Sequence, residues 1–214
     1  MWLTSSARDV ASGAASALNA LSSGNVVKVP LRMMVSADPV QPTFVEAIPA
    51  FADNYIWALR RGDRIAVVDP GDALAVERYL DRRNGQLVAI LITHHHGDHT
   101  GGVSDLVAGR DIPVFGPALS RIAHVNRPLR GGERLVLDAL GLAFDVWHVP
   151  GHTLDHLAYV GEDDLFCGDT LFAAGCGRLF EGTGAQMFDS LSRLASLPDR
   201  TRVFLSLIHI SEPT

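Results

Sequence analysis

Residues 93–102 read THHHGDHTGG, placing four of the chain's nine histidines and an aspartate between His94 and His99. The apolar run LVAILI at 87–92 precedes it, and Asp98 is interleaved among the rings, unlike a polyhistidine tag. An extended chain points alternate side chains the same way, so His94 and His96 converge on one ion while His95 faces elsewhere. Gly97 permits a turn, and Asp98 and His99 then arrive at a helix start, displaced from the first pair and able to serve a second ion. The spacing H-x-H-x-D-H therefore suits a binuclear centre, with His95 read as structural.

A binuclear centre needs further ligands, and loops at strand ends are their source. VPGHT (149–153) offers His152, and CGDT (167–170) offers Asp169. A carboxylate has two oxygens and bridges cations about 3.5–4 Å apart, so Asp169 is assigned that bridge. His148 and His156, four residues either side of His152, are read as supporting or core histidines. Asp69 in VVDPG reads as a turn carboxylate that supports the loop, Cys167 as core, and His124 as structural.

Outward from this site, TFVEAIPA (43–50), NYIWALRR (54–61), RIAVVDPG (64–71) and LVAILITH (87–94) read as strands closed by turn residues. DALAVERYLDRR (72–83) has helical spacing, with Ala73, Val76, Tyr79 and Leu80 as its apolar stripe. TGGVSDLVAG predicts a short helix, IPVFGP a strand and ALSRIAHVN (118–126) a brief helical piece. After RPLRGGE, the segment RLVLDALGLAFDVWHVPG alternates like paired strands around Gly141, and HLAYVGEDDLFCGDT predicts a hairpin turning at GEDD. FDSLSRLASLP (188–198) is a last amphipathic helix. Strand-rich halves each followed by helices predict an α/β protein layered helix, sheet, sheet, helix.

Composition narrows the function. A net charge of −6 without Lys/Arg clusters argues against a nucleic-acid surface. LVAILI is far short of the roughly 20 apolar residues of a membrane-spanning helix, so no membrane partner is expected. With Cys167 and Cys176 as its only cysteines, the chain fits a reducing compartment, and a cytoplasmic location is expected. Residues 1–42 read as an extension, either transit-like or a start placed too early, with Met33 or Met34 the more natural beginning.

THHHGDHTGG, VPGHT and CGDTLF together resemble the metallo-β-lactamase fold hydrolases. IPAFADNYIW (48–57) and FCGDTLFAAGCGRLFEGT (166–183) are similar to their glyoxalase II branch, the hydroxyacylglutathione hydrolases. The resemblance covers about 43–204 and implies a four-layer αββα sandwich as the catalytic domain. It implies that His94, His96 and His152 bind the first metal and Asp98 and His99 the second, with Asp169 joining them. Arg178, Leu179 and Phe180 would touch the glutathione part of the substrate. The cofactors implied are two divalent ions, zinc above iron or manganese, since His and Asp donors suit all of these. A cation pair lowers the pKa of a shared water from about 15.7 toward ~7. The resulting hydroxide, oriented by Asp98, would attack the thioester of S-lactoylglutathione, releasing D-lactate and glutathione in methylglyoxal detoxification.

The chain departs from that family after TRVF (201–204). Members continue with a G-H-E-Y-like segment, whose histidine completes the second metal site, and a helical substrate-binding domain. Here LSLIHISEPT (205–214) follows, resembling a translated sequencing adapter; it is read as a non-native tail, and His209 as no ligand. The expectation is a weakly held second ion, low activity for this chain and a helical domain missing from it. A persulfide dioxygenase or lactonase of the same fold, and an inactive binding fragment, are the competing readings.

Overall fold

The computed structural model describes residues 42–206. The expectations for Met33, Met34 and His209 lie outside these residues. β1 (Phe44–Ala50), β2 (Asn54–Arg61) and β3 (Arg64–Val68) form an antiparallel meander. β4 (Gln86–Leu91), β5 (Val114–Pro117) and β6 (Arg127–Leu129) extend it in parallel into a six-stranded sheet ordered β1 to β6. A five-stranded sheet holds β13 (Arg202–Phe204), β10 (Asp164–Phe166), β9 (Leu157–Val160), β8 (Leu142–His148) and β7 (Arg134–Leu137), in that order. A small ribbon pairs β11 (Leu171–Phe172) with β12 (Gly175–Cys176).

The period of a strand explains the layering, because successive side chains leave opposite faces. Along β3 and β4, Ile65, Val67 and Ile90 face one way, into a core with Val76, Tyr79 and Leu80 of α1 (Ala73–Arg83) and, past the single turn α2 (Gly97–Thr100), Val103 and Leu106 of α3 (Val103–Val107). Ala66, Val68, Ala89 and Leu91 face the other way, against Leu135, Phe144, Val146, Leu157 and Phe166 of the second sheet. That sheet's outer face, through Ala158, Val160 and Leu165, meets Leu194 of α4 (Gly184–Ala195). The result is the four-layer αββα sandwich expected from sequence. Each fully buried aliphatic side chain contributes about 1.5–3 kcal/mol, so a strand covered on both faces, such as β3, anchors the fold.

Local chemistry sets the helix ends. Asp72 caps α1 by accepting from the Ala75 amide at 3.2 Å, and Asn84 closes it in the left-handed region at φ 47°. α4 begins at Gly184, four residues before the stretch that looked helical, because Thr183 and Gln186 form a reciprocal capping box.

The helix expected over ALSRIAHVN is absent; residues 118–126 form bends and a turn. Phe115 pairs in parallel with Arg127, so this short link must run back along the sheet and turn at both ends, with fewer residues than the roughly dozen a helical crossover takes. His124 turns the chain at φ 65°, and the Asn126 side chain accepts from the Val114 amide at 3.0 Å. Ile122 and Val125 pack on the helix-side core three residues apart, which imitates helical spacing. β6 lies inside RPLRGGE, read as a break; Pro128 is tolerated there because β6 is an edge strand.

After β13, the Leu205 carbonyl accepts from the Trp57 indole at 3.1 Å and the Ser206 carbonyl from the Tyr55 amide at 2.8 Å. Among the described residues no helix is long and apolar enough to cross a membrane.

Candidate metal centre

The centre forms where loops leave the ends of both sheets. β3 ends at Val68, and Asp69, at φ 55°, turns its carboxylate onto the segment after β4. One oxygen accepts from the Thr93 amide at 2.7 Å, and the other from the Thr93 hydroxyl at 2.7 Å. With its proton so committed, the Thr93 oxygen accepts from His94 Nδ1, 3.0 Å away. This leaves a bare lone pair on His94 Nε2, a fully buried atom with no hydrogen-bond partner.

His152 is oriented in the same way. Its Nδ1 lies 2.7 Å from the Arg178 carbonyl, which only accepts, so the proton sits on Nδ1 and Nε2 faces inward. There it stands 3.0 Å from His96 Nδ1. Ligating atoms of His94, His96 and His152 all lie within 4.8 Å of one another. A second group, His94, His99 and Asp169, meets the same limit, so His94 borders both sites rather than the first alone.

Asp169 stands between the groups. Its Oδ1 is 3.3 Å from His99 Nε2, and its Oδ2 is 3.5 Å from His152 Nε2. The two oxygens thus face different histidines, the geometry the bridging assignment requires. Asp98 Oδ2 approaches His99 Nε2 at 3.4 Å and accepts from Asn54 Nδ2 at 3.0 Å.

The electrostatics fit cations here. Burial pushes His94 and His96 below the usual imidazole range, aided by neighbouring rings, so both are neutral donors. Burial also opposes charge on His99, yet Asp69, Asp169 and Asp98 around it draw its pKa well above the ordinary value. The His99 ring, 3.4 Å from it, and the Asn54 amide in turn hold the Asp98 carboxyl well below the carboxylate range. Although carboxylate oxygens approach both His99 nitrogens at 3.1–3.4 Å, neither contact has hydrogen-bond alignment. Two buried carboxylates, Asp69 and Asp169, and the partly exposed Asp98 converge on ring nitrogens that have no hydrogen-bond partner, a concentration of negative charge that divalent ions would neutralise.

His156 offers no lone pair to the centre. Its Nδ1 faces the Leu157 carbonyl at 3.0 Å, its Nε2 accepts from the Asp169 amide at 3.1 Å, and its ring stacks on His94 at 4.6 Å. It holds the backbone of Asp169, matching the supporting role expected for it. His148 instead meets the Leu154 carbonyl at 2.8 Å. Asp69 both supports the loop, as expected, and lies 3.1 Å from His99 Nδ1.

Arg178, Leu179 and Phe180 form a wall beside the histidines. The Phe180 amide donates to the His152 carbonyl at 3.1 Å, and the Phe180 ring lies edge-on to both His96 and His152 at 5.3 Å. The Arg178 guanidinium sits 5.2 Å over that ring. Gly177 makes the approach possible: a Cβ there would fall 2.0 Å from the Asp169 carbonyl oxygen and 2.8 Å from His152 Nδ1.

Sequence reasoning missed Asn54, Thr93, Asp155 and Glu181 as partners of the site. Asn54 was visible within IPAFADNYIW and Asp155 within GHTLDH, but nothing in spacing tells what either touches.

Cys167 is buried, its thiol pushed up to about 12 by burial, whereas Cys176 is exposed. One thiol per native chain is therefore expected to react with a maleimide at pH 7 and two after denaturation. Mass spectrometry of the labelled chain checks this, and rapid native labelling of Cys167 would contradict the packing.

A four-layer αββα sandwich with histidine and aspartate clusters at its strand ends defines a dinuclear metallohydrolase fold, and the chain belongs to the metallo-β-lactamase superfamily, whose family model matches residues 51–206. It is 55% identical over 172 residues to a hydroxyacylglutathione hydrolase of Cupriavidus metallidurans, covering 75% of this chain and 65% of that protein. It is 52% identical over 164 residues to one of Shewanella halifaxensis, covering 75% and 64%. The chain thus spans just under two thirds of these relatives. Among solved structures, a B3 metallo-β-lactamase, BLEG-1, aligns with a TM-score of 0.70 at 27% identity over 78% of this chain and 92% of that one. TTHA1623 in a di-iron-bound form aligns with a TM-score of 0.63 at 30% identity, covering 78% and 92%.

Proposed function

We propose that this chain is the metal-binding catalytic unit, residues 43–204, of a hydroxyacylglutathione hydrolase, cleaving S-lactoylglutathione and water to D-lactate and glutathione. The observation that carries the reading is the Arg178–Phe180 wall pressed against His96 and His152, so a ligand lying on the wall also reaches the metal-facing nitrogens. Identities of 52–55% to proteins so named, against 27% to a β-lactamase, favour a thioester over a lactam.

His94, His96 and His152 would hold one ion and His99 with Asp98 the other, Asp169 reaching both. When bound, two divalent cations, zinc in our reading, lower the pKa of water toward ~7 and polarise a carbonyl. The residues do the rest. Thr93 and the Arg178 carbonyl fix the tautomers of His94 and His152, so no proton must move before a ligand binds. Asn54 restrains Asp98, whose carboxylate can accept a hydrogen bond from the attacking water and orient it. Phe180 covers the outer edges of His96 and His152 and limits water, and Arg178 attracts an anionic tripeptide. The thiolate departs as the acyl carbon gains oxygen. Free Cys167 and Cys176 support a cytoplasmic setting.

Incubating the chain with S-lactoylglutathione, with and without added zinc, tests the proposal. Loss of thioester absorbance that depends on metal is expected; no hydrolysis at any zinc level would overturn it. Chelation is expected to lower the melting temperature and zinc to restore it, since a ligand bound at 100 times its Kd stabilises by about 2.7 kcal/mol.

A further inference from the structure

His95 is the ring of the THHHGDH run that belongs to neither candidate ligand trio of the metal centre. Its Nδ1 lies 3.0 Å from Asp155 Oδ1, and its Nε2 lies 3.4 Å from Glu181 Oε1. The other oxygen of Glu181 accepts from the Leu154 amide at 2.8 Å. Glu181 directly follows Phe180, and its own amide donates to the His152 carbonyl at 3.4 Å. One side chain therefore ties the wall to the loop of His94 and His96 and also to the loop of His152.

We propose that Asp155, His95 and Glu181 form a clamp that fastens the Arg178–Phe180 wall to the metal-bearing loops, with Glu181 as a positioning residue for the glutathione portion of the substrate. The substrate half rests on the function proposed above; the clamp itself does not. Asp155 is 2% exposed and is the fixed end, while the Glu181 side chain, 37% exposed, is the strap. An exposed ion pair alone would stabilise little, but here the same carboxylate also holds a backbone amide across loops. Ligating atoms of the three residues lie within 4.8 Å of one another, which admits a third cation on distance alone. The ring argues otherwise: an imidazole lends a metal one lone pair, and its carboxylates stand on opposite nitrogens.

The test compares Glu181→Ala and Glu181→Gln with the unchanged chain, all zinc-loaded. It reads amide hydrogen exchange at Leu154 and Phe180–Gly182, zinc content, and calorimetric binding of S-methylglutathione, a thioether that cannot be hydrolysed. Alanine is expected to speed exchange at these amides and weaken binding roughly 3- to 10-fold, with zinc content unchanged. Glutamine, which keeps an acceptor for Leu154 and a polar group for His95, is expected to restore both. Unaltered exchange in Glu181→Ala, or loss of a zinc equivalent with it, would overturn the clamp. If the unchanged chain fails to bind the thioether, the glutathione reading falls, and exchange alone decides the clamp.

Discussion

Asp169→Ala is expected to abolish paired metal binding and, on the function proposed above, thioester hydrolysis with it. The carboxylate of Asp169 places one oxygen 3.3 Å from His99 and the other 3.5 Å from His152, so its removal strips a donor from both sites at once. Loss of a supporting residue around a metal typically costs 10–100-fold in affinity, and loss of a shared ligand is expected to exceed about 100-fold. Asp169→Asn keeps the shape and the Asp169 amide bond to His156 but gives up the charge and one acceptor oxygen. It should retain the fold and still lose the pair. Metal analysis after dialysis, with circular dichroism to confirm folding, measures this. Two tightly held ions in Asp169→Ala would remove the basis for the bridge.

Gly177→Ala carries the second large effect, on structure before chemistry. The new methyl would meet the Asp169 carbonyl oxygen at 2.0 Å and His152 Nδ1 at 2.8 Å, and a backbone atom cannot swing aside as a flexible side-chain end can. Overpacking of this kind costs about 1–3 kcal/mol. For a domain of this size that lowers the melting temperature by about 2–4 °C per kcal/mol. The wall would move away from His152, so S-methylglutathione binding should weaken as well. Gly175→Ala, two residues earlier in the β11–β12 ribbon, meets nothing within 4 Å and serves as the control, expected within about 0.5 kcal/mol of the unchanged chain. Equal melting temperatures for both variants would show that the wall yields without cost.

The grouping of His94 with His96 was legible because chain geometry is local: alternation along an extended segment separates these two from His95 whatever the rest of the molecule does. The same period explains why the strands and the layered architecture could be read, since residues of β3 and β4 alternate between two cores. Local periodicity also misled: Ile122 and Val125 mimic a helix in a segment whose course is set by its need to rejoin the sheet beside Val114–Pro117.

By itself, then, the sequence named candidate ligands, the order of the loops bearing them and the burial pattern that layers the fold. Only the tertiary structure decided that His94 borders both sites, that Asp169 divides its oxygens between His99 and His152, and that His156 supports rather than ligates. The clustering of Asp69, Asp98 and Asp169 about His99, residues up to 100 positions apart, was likewise a tertiary outcome. The physical reason is range: periodicity and turn chemistry act over a few residues, whereas ring tautomers and carboxylate orientation depend on partners that only the closing of two sheets brings within hydrogen-bonding distance.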